Sequence, residues 1–490
     1  MRGNMEILTF EETSPEAVGI PGESIIRFTK RLAARRIPMH SLLLMRHDKL
    51  VFQGYYAPCR ADTPHRMFSI SKSFTSIAIA LLAEEGKLSL DDPIINYFPE
   101  KLPEQVHPWI SAMTIRDMLM MRSCHAATTY KLNMEADWVE SYFTTPPTHP
   151  AGTLFHYDTS APHTLCALVE KITGLSMLDY LKKKLAPLGL SEKSYMVKDP
   201  FGVSMGGSGL VALPMDLLKF GYFIAHRGFV LGEQLLSASY IDTAVSHLSD
   251  TCVTAPVPSE AQGYGMQFWR GSHNGYTCYG MGGQLIIFLP DYDLICVTTA
   301  DTQDVQGGNQ QIYDALYEEL LPCMQNDALP VTPEKTLLLE KAASSLRIEP
   351  LQGSRVSAMT DSVNGKTFLV RTGTPTGVSG FESFTVRFER TADGQDIGTL
   401  SFLYRQKSCS VRFGLGNMQT GIFPLYNLYY AASGTWLSDG TLYIMAHIID
   451  SYVGSVHFQL AFGKEELTVF LRKKEESLFQ EFNGHLYCTV

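Results

Sequence analysis

The chain has 490 residues, of which 45% are hydrophobic and 18% are charged, and its formal net charge at pH 7 is −10. A chain of this length is expected to form more than one domain. Its negative charge argues against a nucleic-acid-binding surface, and it contains no run of about 18 or more apolar residues, the length that a membrane-spanning helix needs.

The N-terminal segment and the cysteines indicate the cellular compartment in which the protein is expected to lie. Residues 1–6 lack the apolar stretch of a signal peptide. The nine cysteines are odd in number and form no Cys-x-x-Cys pair, so the sequence favours neither a disulfide framework nor a zinc site. A reducing, cytoplasmic location fits these features best, and no metal or cofactor is implied.

The first two thirds of the chain mix helical and strand patterns. Apolar periodicity and turn residues predict, in chain order, a helix over 22–36, a hairpin of strands 41–45 and 50–56, an apolar helix after Ser69, a short helix over 114–122, a helix over 161–182 broken near Gly174, a helix starting at Pro214, strands over 264–269, 285–289 and 294–299, and a helix over 309–321. Strands at both ends with helices between them imply an α+β fold, in which helices flank one antiparallel sheet and a large helical insertion interrupts it. This domain is predicted to span residues 1–325.

The tail has a different pattern. Residues 326–335 contain Pro, Asn and Asp and are expected to form a linker. Beyond them, runs of strand-forming residues recur between turn residues, at 368–371, 383–388, 399–404, 410–413, 441–448, 456–462 and 467–472. This spacing predicts an all-β domain over 336–490, built as an antiparallel barrel or sandwich.

The helix after Ser69 carries the first chemical signal. Ser69-Ile-Ser-Lys72 is a polar entry into an apolar helix, and Lys72 lies one turn beyond Ser69 on the same face. A serine hydroxyl needs a neighbouring base, and a lysine can serve if burial lowers its pKa. The helix start also offers unpaired N–H groups, including that of Ser69, which can hold an oxyanion. A serine-rich helix start with a solvated lysine is the simpler alternative for these four residues.

Five segments of the chain, in order, match the motifs of a known family. They are Ser69–Phe74, Gly86–Pro93, Thr114–Leu119, Pro150–Tyr157 and Gly280–Gln284. Over roughly residues 12–322 the chain resembles the penicillin-recognising serine hydrolases of the class C β-lactamase type, together with their esterase, D-peptidase and 6-aminohexanoate-dimer hydrolase relatives. The tail more loosely resembles the lipocalin-like barrels that follow some of these enzymes.

The resemblance implies a catalytic role for three residues. Ser69 would be acylated, and Lys72 would take or relay its proton. Tyr157 would pass the proton to the leaving group and then activate the deacylating water. A phenol suits that task only if a nearby ammonium lowers its pKa, as Lys72 can do.

The resemblance also implies an oxyanion hole and two departures from the family pattern. The N–H of Gly283, beside Gly282, would join that of Ser69. The second motif usually ends in Asn but here ends in Thr159, whose single hydroxyl makes fewer hydrogen bonds to a substrate amide. The third motif usually opens with Lys or His but here opens with Gly280, so the cation that holds a substrate carboxylate is missing. The loss of this cation argues against efficient cleavage of β-lactams and D-Ala-D-Ala peptides and favours neutral esters or amides.

The sequence therefore predicts a cofactor-free serine hydrolase that acts on a small-molecule or short-peptide ester or amide through an acyl-enzyme on Ser69. A D-amino-acid peptidase or weak β-lactamase is the alternative among enzymes, and an inactive, penicillin-binding-protein-like binding protein is the alternative outside them. The tail can cap the site, support a homo-oligomer or bind a ligand of its own. His125, His156 and His163 lie near the site in sequence and are expected to be structural.

Overall fold

The computed structural model describes residues 6–375, 377–438, 440–475 and 477–490. These residues form two compact units, one of residues up to Tyr55 with Ala61–Leu346, and one of Tyr56–Arg60 with Arg347–Val490. The loop Tyr56–Arg60 therefore folds with the C-terminal unit, where Cys59 packs against Ile348. The helix over residues 333–344 belongs to the first unit. The boundary between the two units therefore lies after residue 336, where the sequence predicts that the second domain begins. The predicted domain limits remain a prediction.

The first unit, called the α/β unit below, contains an antiparallel sheet. Its strands are β1 Glu11–Glu12, β2 Met39–Arg46, β3 Lys49–Tyr55, β4 His65–Arg66, β5 Tyr195–Met196, β6 Leu210–Ala212, β7 Phe229–Val230, β8 Glu233–Gln234, β9 Trp269–Arg270, β10 Tyr276–Gly280, β11 Gln284–Leu289 and β12 Leu294–Ala300. The main sheet has the order β1-β3-β2-β12-β11-β10-β9, and all its neighbours are antiparallel except β1 and β3. Strands β2, β11 and β12 are buried along their whole length, as expected for strands that are covered on both faces.

The helices of the α/β unit are α1 Gly22–Ala34, α2 Ile70–Glu84, α3 Pro108–Ala112, α4 Ile115–Leu119, α5 Trp138–Thr144, α6 Ser160–Thr173, α7 Met177–Lys184, α8 Pro214–Ala225, α9 Ala238–Ala244, α10 Gln310–Ala315 and α11 Pro333–Ser344. Helices α2 to α9 lie between β3 and β9, which confirms the helical insertion. Helix α8 packs on the central strands, whereas α2 packs against α6, α7 and β10. Over the described ranges, no helix is long and apolar enough to cross a membrane.

Three predicted elements differ from the structure. The helix over 161–182 is two helices, because Gly174 ends α6 with a left-handed residue at φ 70°. The helix over 309–321 is α10 followed by a π-helical turn, Leu316–Leu320. The strand over 264–269 is wrong: its residues before Trp269 form a loop, in which Gln267 has φ 69° and donates its side-chain amide to the carbonyls that end α4.

The second unit, called the barrel unit below, contains helix α12 Thr360–Val363 and ten strands in the part that the structure describes. They are β13 Thr367–Gly373, β14 Phe381–Arg390, β15 Asp396–Tyr404, β16 Lys407–Leu415, β17 Gln419–Phe423, β18 Leu428–Ser438, β19 Thr441–Ile449, β20 Val453–Phe462, β21 Glu466–Lys474 and β22 Gly484–Thr489. The order β16-β15-β14-β13-β22-β21-β20-β19-β18 is closed by a parallel pairing of β16 with β18, and β17 adds to β18. The prediction of a barrel is confirmed.

Side chains fill the interior of the barrel. Buried side chains of the strands and of the connection between β21 and β22 form one core, and its phenylalanines are Phe368, Phe381, Phe384, Phe402, Phe413, Phe423, Phe458, Phe479 and Phe482. Small barrels are commonly closed by their own side chains in this way. The resemblance to lipocalin-like barrels stays a prediction, and this packed core gives no support to a ligand held inside the barrel.

Candidate active site

The start of helix α2 brings Ser69 and Lys72 together. Ser69 is the N-cap residue and is partly exposed, and its side chain makes no capping hydrogen bond. Lys72 is 1% exposed, and its Nζ lies 2.7 Å from Ser69 Oγ and 2.6 Å from the carbonyl oxygen of Gly207. Phe68, just before Ser69, has φ 46°, a strained conformation of the kind that collects at functional sites. The solvated-lysine alternative does not hold, because Lys72 is buried.

The polar residues of α2 attach the helix to the loops around it. Every residue from Ile70 to Leu82 is buried, so each hydroxyl on this stretch needs a partner. Ser71 donates to the carbonyl of Phe68 and Ser73 to that of Gln267. The serine-rich helix start thus has a structural role as well, and Ser69 differs from its neighbours by being partly exposed.

The second acceptor of Lys72 is the carbonyl oxygen of Gly207, which follows another glycine, Gly206. A Cβ at Gly206 would lie 2.2 Å from Cys166 Cβ, and a Cβ at Gly207 would lie 2.4 Å from Thr159 Cγ2. Only residues without a side chain can therefore lie this close to helix α6. Sequence reasoning missed the function of this loop in the site, because the approach of α6 is a long-range contact.

Tyr157 lies beside Lys72. The Lys72 Nζ is 4.8 Å from the centre of the Tyr157 ring, which also packs against Trp269 with ring centres 5.3 Å apart. Burial raises the pKa of Tyr157, and a hydrogen bond with the Ser69 hydroxyl opposes that rise only in part. The expected lowering by a nearby ammonium is therefore not found. At neutral pH the phenol keeps its proton and can donate it toward the oxygen of Ser69.

The turn between β10 and β11 holds Gly282 and Gly283 in conformations that favour glycine, with φ 81° and 92°. The carbonyl of Gly282 accepts from the N–H of Thr302, and that of Gly283 accepts from the Thr298 hydroxyl, so both peptides are fixed. Among the described residues, the N–H groups of Ser69 and Gly283 donate to no other protein group. Free N–H groups at a helix start and at a tight turn are what an oxyanion needs.

Comparison with known proteins agrees with this geometry. The family model described as Beta-lactamase matches residues 26–317. The chain belongs to the β-lactamase family. A 6-aminohexanoate-dimer hydrolase from Paenarthrobacter ureafaciens is 22% identical over 336 residues, which cover 61% of this chain and 84% of that protein. The human mitochondrial serine beta-lactamase-like protein LACTB is 52% identical over 48 residues, which cover 10% of this chain and 9% of that protein.

Solved structures show the same fold. A protein from Bacillus anthracis named after 6-aminohexanoate-dimer hydrolase has a TM-score of 0.51 and 18% identity, over 64% of this chain and 86% of that one. A β-lactamase-type protein from Bacteroides dorei has a TM-score of 0.50 and 19% identity, over 61% of this chain and 97% of that one. At these identities the likeness shows the fold alone.

Gly280, at the end of β10, has no room for a side chain. A Cβ there would lie 2.4 Å from the carbonyl oxygen of Met67 and 2.7 Å from Gln284 Cβ. Atoms of Met67 and Gln284 therefore occupy the space that a lysine or histidine side chain would need at this position of the family pattern. The neighbouring Met281 is partly exposed at the turn. This turn therefore lies against the segment that leads to Ser69, and the residue that replaces the cation contributes no charge.

Asp158 is a buried carboxylate that sequence reasoning missed. It is 0% exposed and stands between Tyr157 and Thr159, the N-cap of α6. Its Oδ1 accepts from the backbone N–H of Ser160 at 2.8 Å and from the Ser160 hydroxyl, and its Oδ2 accepts from the Ser123 hydroxyl at 3.3 Å. Burial raises the pKa of Asp158 to about 6, whereas these hydrogen bonds and the charge of Lys72 lower it.

The three histidines near the motifs have structural partners. His163 Nε2 lies 3.0 Å from Asp199 Oδ2 in the interior, where the pair joins α6 to the loop after β5. His125 Nε2 lies 2.9 Å from the carbonyl oxygen of Tyr142, and burial lowers the pKa of His125 to about 4. The ring of His156 lies against that of His149. In the described part of the chain, no cluster of three or more His, Cys, Asp or Glu is arranged to hold a metal.

Proposed function

We propose that the protein is a serine hydrolase that cleaves an ester or amide bond through an acyl-enzyme on Ser69. The observation that carries this proposal is the 2.7 Å contact between Ser69 Oγ and a buried Lys72 Nζ. The Gly207 carbonyl accepts one N–H of Lys72 and so orients the amine beside the serine hydroxyl. A nucleophile that contacts an oriented base is the signature of covalent hydrolysis.

The residues divide the chemistry as follows. Lys72 takes the proton of Ser69 as Ser69 Oγ forms a bond to the substrate carbonyl carbon, and the N–H groups of Ser69 and Gly283 hold the oxyanion. Tyr157 donates its phenol proton to the leaving group as the bond to that group breaks, and regains a proton from Lys72. Water then attacks the acyl group, its proton passes back through the same residues, and Ser69 is released.

The substrate class follows from the missing charge. Gly280 leaves no cation at the end of β10, and Thr159 offers one hydroxyl where the family pattern has a carboxamide. A substrate carboxylate would lose its partner here, whereas a neutral ester or linear amide would not.

A substrate panel tests the proposal. Wild type, Ser69→Ala and Lys72→Met are assayed on p-nitrophenyl acetate and butyrate, on a linear amide, on a peptide ending in D-Ala-D-Ala and on nitrocefin. We expect turnover of the neutral esters or the amide, lost by at least about 100-fold in both variants. Lys87→Met is the matched control, because Lys87 is exposed on the surface and pairs with Glu85. Turnover of the D-Ala-D-Ala peptide or nitrocefin alone would favour a peptidase or β-lactamase, and no turnover at all would favour a binding protein.

A further inference from the structure

An open cavity of about 620 Å³ lies beside the C-terminal end of helix α1. One wall is the end of this helix, and the other is the loop between β12 and α10 with the first turn of α10. The polar residues that line it are Arg35, Arg36, Gln306, Gly307 and Gln311, and none of the described lining residues is acidic. The volume is in the range of small-molecule sites, and two guanidinium groups favour an anion.

The two arginines of this cavity are unpaired, unlike an arginine one turn earlier in α1. Arg31 pairs with Glu318 at 2.7 Å and with Glu319 at 3.2 Å. Arg35 and Arg36 are exposed, and over the described ranges neither guanidinium has an ion-pair or hydrogen-bond partner. A cation at a helix C-terminus is favoured by the helix dipole even without a ligand. The two charges therefore indicate a site only together with the backbone around them.

Arg36 occupies a backbone position that favours glycine, with φ 55°. Its N–H donates to the carbonyl of Ala33 at 2.9 Å, and the N–H of Ile37 donates to that of Leu32 at 3.1 Å, which is how a helix ends in a left-handed residue. Glycine is usual at this position, because a side chain strains the backbone. Strained positions collect at sites that hold ligands. The helix dipole does not explain this choice, since a cation one turn earlier would serve it as well.

The loop wall of the cavity offers free backbone N–H groups. Gly307 lies in a turn with φ 84°, and among the residues that the structure describes the N–H groups of Gln306 and Gly307 donate to no other protein group. Successive N–H groups in turns of this kind form concavities that bind anions. The side-chain amide of Gln311 is a further donor, and it contacts the carbonyl oxygen of Gln306 at 3.3 Å.

Hydrogen bonds hold the two walls in place. The N–H of Asp301, just after β12, donates to the carbonyl of Pro38 at 2.9 Å, which ties the loop to the segment that follows α1. Thr302 closes the loop, because its hydroxyl donates to Asn309 Oδ1 at 2.7 Å. Its N–H donates to the carbonyl of Gly282 at 3.0 Å, which attaches the loop to the turn between β10 and β11. The donors are therefore arranged before a ligand binds, so less entropy is lost on binding.

We propose that this cavity binds a phosphate group, either free phosphate or the phosphate of a small phosphorylated molecule. The guanidinium groups of Arg35 and Arg36 match the geometry of phosphate oxygens, and the N–H groups of Gln306 and Gly307 donate to the same group. The net charge of the chain is −10, so a general attraction of anions to the protein is not expected. The proposal goes beyond the proposed function and does not depend on it, because it uses no residue of the site around Ser69.

Isothermal titration calorimetry of the full chain tests the cavity. The probes are inorganic phosphate, AMP and, as the uncharged comparison, adenosine, in about 0.15 M sodium chloride. Arg36→Gly removes one guanidinium and should stay folded, because glycine adopts a φ of 55° without strain. We expect Arg36→Gly and Arg35→Gln each to weaken phosphate or AMP binding by about 10-fold or more. Lys30→Gln is the matched control, because Lys30 is an exposed cation of α1 that does not line the cavity.

Binding that weakens in both arginine variants but not in Lys30→Gln supports the proposal. AMP binding about 10-fold or more tighter than phosphate binding then identifies a phosphorylated small molecule as the ligand, and a smaller difference identifies free phosphate. The proposal is overturned if neither probe binds wild type, if binding persists in both arginine variants or weakens equally in Lys30→Gln, or if adenosine binds as tightly as AMP. If circular dichroism shows that Arg36→Gly is unfolded, Arg35→Gln is judged by the same criterion.

Discussion

Glu260 is expected to make the α/β unit less stable as the pH rises. Its side chain is 0% exposed, and the hydroxyl of Tyr313 donates to Oε1 at 2.8 Å. In the described structure the other oxygen, Oε2, has no hydrogen-bond partner. Burial raises the pKa of Glu260 from 4.5 to about 8. Glu260 is therefore a protonated acid in the folded protein at neutral pH.

The direction and size of the effect follow from linkage. An acid with a raised pKa in the folded state binds its proton more tightly there than in the unfolded chain. Its stabilising contribution is therefore greatest in acid and is lost as the pH rises from 4.5 through about 8. One pKa unit corresponds to about 1.36 kcal/mol, so ionisation of Glu260 lowers the free energy of unfolding by about 2–3 kcal/mol between about pH 6 and about pH 9.

Glu260→Gln removes this ionisation and keeps an oxygen for the Tyr313 hydroxyl. The free energy of unfolding of wild type and variant is measured by urea titration at about pH 6 and about pH 9. From about pH 6 to about pH 9, the free energy of unfolding of wild type should fall by about 2–3 kcal/mol more than that of the variant. The cost of burying the amide is the same at both pH values, so it cancels when the two changes with pH are compared. The titration of Asp158 occurs in both proteins and cancels as well. Equal pH dependence in the two proteins, within about 0.5 kcal/mol, would refute the reasoning.

Three further substitutions test the packing of the site and of the barrel. Gly280→Lys places a Cβ 2.4 Å from the carbonyl oxygen of Met67, so thermal or urea unfolding should show a loss of about 1–3 kcal/mol, with no gain in turnover of carboxylate-bearing substrates. Gly207→Ala places a Cβ 2.4 Å from Thr159 Cγ2 and displaces the carbonyl that orients Lys72, so kcat/KM should fall by about 10-fold or more. Phe402→Ala empties part of the barrel core and should lower the free energy of unfolding by about 3–5 kcal/mol, measured by urea titration.

Controls separate these effects from general damage. Gly271→Ala is the match for Gly207→Ala, because the nearest atom to its added Cβ lies 3.6 Å away, an ordinary contact. Equal losses of kcat/KM in the two alanine variants would contradict the role of the Gly207 carbonyl. Leu369 is 43% exposed on a barrel strand, so Leu369→Ala should cost far less than Phe402→Ala.

The chain order of motifs was enough to predict the family and much of the fold. Helix α2, the hairpin β2–β3 and strands β11 and β12 follow from local runs of apolar residues bounded by polar or turn residues, because each of these elements is largely buried. The serine-lysine spacing also fixes which two side chains meet, since three residues make about one helical turn. Local pattern is thus sufficient wherever one element supplies both members of a contact.

Features that depend on distant segments could not be predicted. The place of Gly207 beside Lys72 depends on the packing of α6 against the loop after β5, and nothing near Gly207 in sequence indicates it. The burial of Asp158 depends on Ser123, thirty-five residues away in the chain. The raised pKa of Tyr157 reflects the surrounding aromatic residues, which come from three separate segments. Burial and electrostatics arise from tertiary contacts, which spacing alone does not reveal.

The central claim is that Ser69 is the nucleophile, and intact-mass spectrometry after incubation with a fluorophosphonate tests it most directly. We expect wild type to gain the mass of one adduct, because Ser69 is partly exposed and its hydroxyl contacts Lys72. Ser69→Ala should gain none, and Lys72→Met should react far more slowly. An adduct that persists in Ser69→Ala, or wild type that never reacts, would contradict the account.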